Sequence, residues 1–261
     1  MERFELARQV IRKAGAVLRQ CRPGRDEVTR KTGHQDLVTR WDRATEQLLR
    51  ETIAAVFPQD TLVGEEYPCS SGSAEAVVWY LDPIDGTTNF VNEHRNYAIS
   101  IGCWQGENPL FGMVLDVAED RLYWARPGAG AWRDDTPLRV SDRETVSELL
   151  FATSCIQYTF FDEYPARRGM LRLAEDVRAV RSLGSVALEL CQVAAGEVDV
   201  FVTMRSCPWD HNGARIILQE AGGAISTLGN APLPLNQDST VLAANSQAML
   251  NRIRQFYVIA E

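Results

Sequence analysis

The sequence predicts an α+β protein in which helices and sheets stack in layers around an extended core. Hydrophobic residues make up 45% of the 261 residues, which is enough to bury a large core. Apolar residues recur at helical spacing in some segments and form short strand-like runs in others. Because a helix and a sheet each bury an apolar face, elements of both kinds pack against each other in layers.

The N-terminal half is predicted to begin with two amphipathic helices. The first has apolar residues at helical spacing over 4–18 and stops before Pro23-Gly24. The second runs over 39–57 and places Asp42 in its first turn. Short apolar runs that are typical of strands follow at 61–63, 77–81, 98–104, 110–115 and 121–124.

Near residue 140 the pattern changes from strand-rich to alternating helices and strands. We therefore expect one domain of residues 1–261 with two closely joined halves, 1–140 and 141–261. Strands of the second half are expected at 149–153, 198–202 and 241–243. Helices are expected at 165–175, 185–195, 209–221 and 246–257.

Charge and cysteine usage exclude several classes of protein. The formal net charge of -8 argues against a nucleic-acid binder, since phosphate backbones are held by clustered Lys and Arg. Six cysteines are scattered without zinc-like spacing, so we expect buried thiols.

The sequence has neither a signal peptide nor an apolar run of about 20 residues that could span a membrane. A soluble, cytoplasmic protein that contacts no membrane is the expectation.

The strongest local motif is LDPIDGTTNF at 81–90. Asp82 and Asp85 flank a proline that holds the turn rigid, which suits a cation such as Mg²⁺ that tolerates little distortion. They are expected just after the strand at 77–81. The small and hydroxyl residues at 86–89 are typical of a helix start, where free backbone N–H groups can hold a phosphate. Taken alone, such a motif fits an Asp-rich turn equally well.

Two further acidic signals are weaker by themselves. Glu65 and Glu66 end the strand at 61–63, where an exposed charged turn is the usual interpretation. Asp210, in the segment PWDH, has the position of a helix cap. The Gly222-Gly223 pair marks the end of the helix that follows.

In combination, these motifs resemble the inositol monophosphatase family. The matching segments are GEE at 64–66, WYLDPIDGTTNF at 79–90, PWD at 208–210 and EAGG at 220–223. DLVT at 36–39 and Asp42 extend the resemblance over nearly the whole chain.

The resemblance implies an α/β/α/β/α layered sandwich of the inositol monophosphatase and fructose-1,6-bisphosphatase-like type, usually as a homodimer. It also implies Mg²⁺-dependent, lithium-sensitive hydrolysis of phosphate monoesters with two or three ions. Glu65, Asp82 and the Ile84 carbonyl would hold the first ion. Asp82 would bridge to a second ion, completed by Asp85 and Asp210. Glu65 would also serve a third.

The resemblance assigns further roles around these ligands. Asp42 and Thr87 match the positions that order the attacking water. Gly86 and Thr87 would offer backbone N–H groups to the phosphate. Gly184 and Ser185 match the wall on the sugar side of the substrate.

On the substrate side the sequence departs from the family. Inositol-selective relatives carry a glutamate that binds the ring hydroxyls, and counting back from Asp210 places Thr203 at that position. Because a charged acceptor is absent, we expect weaker selectivity for inositol 1-phosphate over other small polyol phosphates. Asp85 stays available to a substrate hydroxyl.

The chemistry of phosphate esters agrees with these roles. Two cations can bind the oxygens of a phosphate dianion, acidify a water and stabilise the leaving alkoxide. Hard ions prefer oxygen ligands, and converging carboxylates without cations would repel one another. A small phosphorylated metabolite is therefore the expected partner.

Other substrates stay open, because family members share the metal chemistry. Fructose 1,6-bisphosphate, a 3′-phosphoadenosine nucleotide, histidinol phosphate and NADP are the alternatives. A regulatory binding protein on the same fold is a further alternative.

Other motifs are not expected to take part in the chemistry. His34, His94 and His211 lack metal-ligand spacing. Residues 128–130 fit a hairpin better than a phosphate loop.

Overall fold

A computed structural model describes residues 1–23, 28–30, 37–69, 76–154, 156–161 and 167–258. Several residues covered by the expectations above lie outside these ranges. They are Gly24, His34, Asp36, Cys155, and the first two residues of the helix predicted at 165–175.

A helix is present at each segment where apolar spacing predicts one, and a further short helix begins within the motif at 81–90. Their bounds are α1 (Arg3–Leu18), α2 (Arg40–Val56), α3 (Thr87–Asn92), α4 (Arg167–Asp176), α5 (Val186–Ala194), α6 (Pro208–Glu220) and α7 (Gln247–Ile253). The helix predicted over 246–257 is shorter than expected, because π-type turns at Arg254–Val258 follow α7. Single turns also occur at Val146–Glu148 and Gln157–Phe161.

The first strands form a small hairpin and a large sheet. In the hairpin, β1 (Val28–Arg30) pairs with β2 (Leu37–Thr39) in antiparallel fashion. The large sheet has seven strands in chain order. They are β3 (Thr61–Gly64), β4 (Val77–Asp85), β5 (Ala98–Gln105), β6 (Asn108–Asp116), β7 (Arg121–Ala125), β8 (Ala131–Arg133) and β9 (Thr136–Leu138). Only the β3–β4 pair is parallel among them.

Strand β4 is longer than the sequence predicts. Asp82 pairs with Ser100 of β5 and Asp85 pairs with Ala98, so β4 carries one extra residue between the two pairs. The prediction that both aspartates follow the strand is therefore wrong, because they lie within it at a bulge. Pro83 explains the bulge: it has no N–H to donate to the ladder. Bulges often redirect side chains beside functional sites.

The second sheet has five strands in the order β11-β10-β12-β14-β13. The strands are β10 (Leu150–Ala152), β11 (Ala179–Arg181), β12 (Val200–Ser206), β13 (Ala224–Ser226) and β14 (Ser239–Ala244). Strand β10 runs parallel to β11 and β12, whereas β14 is antiparallel to β12 and β13.

Three hydrophobic clusters separate five layers. One cluster joins α1 and α2 to the outer face of the seven-stranded sheet. A second joins the other face of this sheet to α5 and α6 and, through them, to the five-stranded sheet. The third lies between the five-stranded sheet and helices α4 and α7. This arrangement is the predicted α/β/α/β/α sandwich.

Three glycines allow α6 to lie against the seven-stranded sheet. Gly102 of β5 pairs with Gly112 of β6, and both face α6. A Cβ on Gly112 would lie 2.1 Å from the carbonyl oxygen of Gly213 in α6. A Cβ on Gly102 would lie 2.8 Å from the carbonyl carbon of Asn212. This close approach brings the start of α6, with Asp210, toward the bulge in β4.

Some smaller expectations also have outcomes. Residues 128–130 lie in the turn of the hairpin formed by β7 and β8, as predicted. Cys69 is exposed and Cys207 is only half-buried, so the expectation that the cysteines are buried is wrong at these two positions. Within the described ranges, none of the helices has both the length and the apolar character needed to cross a membrane.

Candidate active site

A cavity of about 160 Å³ lies where β3 and β4 meet the starts of α3 and α6. Its walls come from both halves of the chain. The lining residues among those described are Leu37, Glu65, Asp82, Ile84, Asp85, Gly86, Thr87, Thr88, Gly184 and Asp210. The structure thus brings together all five positions that the sequence suggested for metal binding.

Asp82 lies at the centre of this group and is only 2% exposed. The backbone N–H of Ile84 donates to its Oδ1 at 3.0 Å, across the bulge in β4. Burial raises the pKa of Asp82 well above its ordinary value, and the charges of three neighbouring carboxylates add to the effect. These neighbours are Glu65, Asp85 and Asp210. The site therefore repels its own charges and attracts cations.

Asp85 is held from the other half of the chain by the start of α5. The hydroxyl of Ser185 and the backbone N–H of Ala187 donate to its Oδ2 at 2.7 and 2.6 Å. Burial raises the pKa of Asp85 to about 6, although these two hydrogen bonds oppose the shift. One carboxylate oxygen is thereby fixed, which orients the whole group toward the cavity.

Asp210 lies in the first turn of α6. Its Oδ2 accepts from the backbone N–H of Cys207 at 2.8 Å and from the Ser206 hydroxyl at 3.4 Å, in the geometry of a helix-capping acid. Burial raises its pKa well above the ordinary value, and the charge of Asp85 adds to this effect. The capping interpretation and the proposed metal role are compatible, because the cap fixes one oxygen.

Glu65 directly follows β3 and reaches the same cavity. Its charge contributes to the raised pKa values of Asp82 and Asp210. It is therefore in electrostatic contact with ligands from both halves of the chain.

Asp42 and Thr87 form a hydrogen-bonded pair in which Thr87 lines the cavity, whereas Asp42 is buried and is not among the described lining residues. The Thr87 hydroxyl lies 3.0 Å from Asp42 Oδ1 and 3.1 Å from the Ile84 carbonyl oxygen. The backbone N–H and the hydroxyl of Thr39 both donate to Asp42 Oδ2 at 2.7 Å. Burial raises the pKa of Asp42 above its ordinary value, and these hydrogen bonds offset only part of that rise. The pair can hold a proton between Thr87 Oγ1 and Asp42 Oδ1.

The donor set fits a hydrated hard cation. Side chains of Glu and Asp and a backbone carbonyl supply oxygen only, and among the described lining residues there is neither His nor Cys. Within the described ranges, no group of three or more His, Cys, Asp or Glu side chains forms a ready-made metal cage. Mg²⁺ keeps several waters and uses few carboxylates per ion, so a shared cavity with carboxylates on its walls suits it.

The structure places Ser185 and Thr203 differently from the substrate-side prediction. Ser185 is 1% exposed and donates its hydroxyl to Asp85, so it orients a carboxylate instead of forming the wall. Thr203 is fully buried in β12, and its hydroxyl donates to the Arg205 carbonyl at 2.9 Å. This hydrogen bond lies where the register of β12 against β14 shifts, between Thr203 and Ser206. Gly184 does line the cavity.

Two buried acids beside the site were missed by the sequence interpretation. Glu189 of α5 is fully buried and accepts hydrogen bonds from Ser154 and from the backbone N–H of Leu183. Glu46 of α2 is also fully buried. A charged residue inside the apolar segment VALELC was a signal for Glu189. The spacing of four residues between Asp42 and Glu46 on one helix was a signal for Glu46.

Known proteins match this chain over most of its length. A profile of the Inositol monophosphatase family matches residues 2–258. An inositol-1-monophosphatase of Bacillus subtilis is 37% identical to this chain, over 92% of this chain and 91% of the length of that relative. A fructose-1,6-bisphosphatase/inositol-1-monophosphatase of Thermotoga maritima is 34% identical over 87% of this chain and 85% of its own.

Solved structures also resemble this fold. A staphylococcal inositol monophosphatase-II with bound inositol monophosphate has a TM-score of 0.82 and 29% identity, covering 98% of this chain and 93% of its own. The same protein has been solved with 2′AMP, where the TM-score is 0.81 at 30% identity, over 97% of this chain and 92% of its own. On the family profile and the identity to these relatives, the chain belongs to the inositol monophosphatase family.

Proposed function

We propose that this protein is a Mg²⁺-dependent phosphatase that hydrolyses inositol 1-phosphate and related small polyol phosphates by direct attack of water. The observation that carries the proposal is a cavity lined by four carboxylates and by Thr87, whose hydroxyl is hydrogen-bonded to the buried Asp42. The family is one of phosphatases, and its members need a divalent metal. The choice of Mg²⁺, with two or three ions, is our own inference from the oxygen-only donor set.

The lining residues divide into two groups of metal ligands. Glu65, Asp82 and the carbonyl of Ile84 would hold one ion. Asp82 would be shared with a second ion bound by Asp85 and Asp210, while Glu65 would also serve a third. When bound, the ions neutralise phosphate oxygens, acidify a water and stabilise the leaving alkoxide.

The Asp42–Thr87 pair would orient the attacking water. Because Asp42 Oδ1 holds the proton of the Thr87 hydroxyl, Thr87 Oγ1 is left as an acceptor for a hydrogen of that water. Gly86 and Thr87 would offer backbone N–H groups to the phosphate. Gly184 would contact the alcohol side of the ester, and Asp85 would be available to a hydroxyl there.

The names and ligands of the relatives support a range of substrates. One relative is named for both fructose 1,6-bisphosphate and inositol 1-phosphate, and another has been solved with inositol monophosphate and with 2′AMP. Fructose 1,6-bisphosphate, 3′-phosphoadenosine nucleotides, histidinol phosphate and NADP therefore belong in the test panel. We further propose that the protein is a cytoplasmic homodimer, forms a single unit over 1–261 and is inhibited by lithium.

The decisive experiment measures phosphate release by the purified protein from this panel. We expect activity with Mg²⁺, loss of activity with excess chelator, and lower activity with Ca²⁺, whose longer bonds misplace the water. Asp82→Asn should abolish turnover because it removes the shared ligand. Undiminished turnover in chelator would contradict the proposal, as would a fully active Asp82→Asn variant.

A further inference from the structure

Glu46 is a buried acid for which the proposed chemistry has no use. It lies on α2 one turn after Asp42, is fully buried, and is not among the cavity-lining residues described. Its carboxylate faces the segment 64–68, which carries Glu65 from the end of β3 into the cavity.

Two residues of α2 hold this segment by hydrogen bonds. The backbone N–H of Glu66 donates to Glu46 Oε2 at 2.7 Å. Arg50 donates from Nη1 to Glu46 Oε1 at 3.0 Å and from Nη2 to the carbonyl oxygen of Pro68 at 2.7 Å. The guanidinium carbon of Arg50 also lies 5.9 Å from the ring centroid of Tyr67. The Glu46–Arg50 pair thus fixes the backbone at residues 66 and 68.

The Glu46 carboxylate also lies close to Gly64, the residue that precedes Glu65. A Cβ built on Gly64 would lie 2.2 Å from Glu46 Oε1 and 2.5 Å from Glu46 Cδ. A side chain at position 64 would therefore displace the Glu46 carboxylate. Glu46 therefore contacts the residues immediately before and after Glu65.

Stability alone is a weak explanation for such a pair. A buried ion pair often adds little compared with apolar residues of the same size, because both charges must leave water. Fixed geometry is a better explanation, since groups that orient metal ligands are part of how metal sites are built.

We infer that Glu46 is a positioning residue that, together with Arg50, holds the Glu65 backbone so that its carboxylate meets those of the other metal ligands. This inference rests on the proposed function, which makes Glu65 a ligand. Because α2 also carries Asp42, one rigid helix would set both the water-orienting pair and the first metal ligand.

The first test is Glu46→Gln. An amide has one oxygen for two N–H donors, so its NH₂ group must face either Glu66 or Arg50. We expect the Mg²⁺ dissociation constant to rise about tenfold, measured without substrate from the Mg²⁺ dependence of thermal unfolding. At saturating Mg²⁺, kcat should change much less. Glu51→Gln is the matched control, because Glu51 is an exposed acid on the same helix. The Mg²⁺ affinity of this variant should equal that of the wild type.

The second test separates geometry from charge. Arg50→Met removes a positive charge near the site, so a purely electrostatic effect would tighten Mg²⁺ binding. Loss of positioning would weaken it, which is the result we expect. This variant also decides the matter if Glu46→Gln fails to fold.

Two outcomes would overturn the inference. One is a Glu46→Gln variant that binds Mg²⁺ like Glu51→Gln, and the other is tighter binding by Arg50→Met. A wild-type protein that does not bind Mg²⁺ would instead overturn the proposed function, and this inference with it.

Discussion

The three aspartates that line the cavity are each fixed through one oxygen. Protein donors bind Oδ1 of Asp82, Oδ2 of Asp85 and Oδ2 of Asp210. Asp42 is held on both oxygens, since Thr39 donates two hydrogen bonds to Oδ2 and the Thr87 hydroxyl donates to Oδ1. Because a carboxylate is planar, fixing one oxygen fixes the direction of the other. The site is therefore preorganised by the hydrogen bonds that these acids accept.

Thr87 tests the role of the hydroxyl at this scale. Thr87→Ala should lower kcat about 100-fold, since it removes a group that orients the water and relays a proton. Mg²⁺ affinity should change little, because the carboxylate ligands stay in place. Thr87→Ser keeps the hydroxyl and should restore most of the rate. Steady-state kinetics with a Mg²⁺ titration measure both quantities. A Thr87→Ser variant as slow as Thr87→Ala would count against the hydroxyl.

Thr203 provides a prediction of no effect on specificity. Its buried hydroxyl bonds within its own strand, to the Arg205 carbonyl. Thr203→Val should lower stability by about 1 kcal/mol through loss of this hydrogen bond. The ratio of kcat/KM for inositol 1-phosphate to that for glycerol 2-phosphate should stay the same. A changed ratio would return Thr203 to the substrate side.

Among the secondary-structure elements, α6 and β4 decide where the ligands meet. Asp82 and Asp85 lie on either side of the bulge in β4, and both line the cavity. Helix α6 approaches the sheet through Gly213, which lies against Gly102 and Gly112. The distance between Asp210 and the ligands on β4 therefore depends on residues that have no chemical role.

Gly112→Ala tests this dependence. The new Cβ would meet the Gly213 carbonyl oxygen, which is backbone and cannot move aside independently of α6. We expect the free energy of unfolding to fall by about 2 kcal/mol and Mg²⁺ affinity to weaken because Asp210 is displaced. Chemical denaturation and Mg²⁺ titration provide the two measurements.

Gly229→Ala is the matched control for Gly112→Ala. Its nearest neighbouring atom would be Thr227 Oγ1 at 4.0 Å, so stability should change by less than about 0.5 kcal/mol. Equal effects of the two substitutions would show that the close approach of α6 is unimportant.

For the whole molecule, the cavity is a source of instability until cations bind. Three buried aspartates with raised pKa values face one another, and each is disfavoured in its ionised form. The surrounding layers keep them together, since the ligands on the seven-stranded sheet and on α6 are tied to extensive hydrophobic clusters. Stability and metal binding are therefore linked through pH.

This linkage has a definite sign. Asp85 has a pKa raised from 3.8 to about 6 in the folded state, so between these values the folded protein holds a proton that the unfolded chain has released. The free energy of unfolding of the metal-free protein should therefore fall as pH rises through this window, by an amount on the order of 3 kcal/mol from Asp85 alone. Asp82 and Asp210 act in the same direction. His211, whose pKa is lowered to about 4, acts in the opposite direction.

A comparison with and without metal isolates the contribution of the site. Mg²⁺ binds the ionised carboxylates, so the rise in Tm on adding Mg²⁺ should be larger at about pH 7.5 than at about pH 5. The control is Asp82→Asn, in which the rise should be small at both values. An equal rise in the wild type at both pH values would contradict the linkage.

The sequence by itself determined the features that depend on local spacing. The helices α1, α2, α5 and α6 follow from apolar periodicity, and the DPIDG motif places two oxygen ligands three residues apart. Such features are set within one or two turns of chain, where periodicity and proline geometry act directly. The layered fold class followed from the same patterns.

Only the tertiary structure decided how distant residues meet. Asp210 reaches the bulge in β4 because three glycines allow α6 to approach, and Ser185 turns to Asp85 across 100 positions of sequence. Glu46 contacts the chain on both sides of Glu65 in the same way. These contacts depend on close packing between layers, which fixes distances to fractions of an ångström and leaves no periodic trace in the sequence.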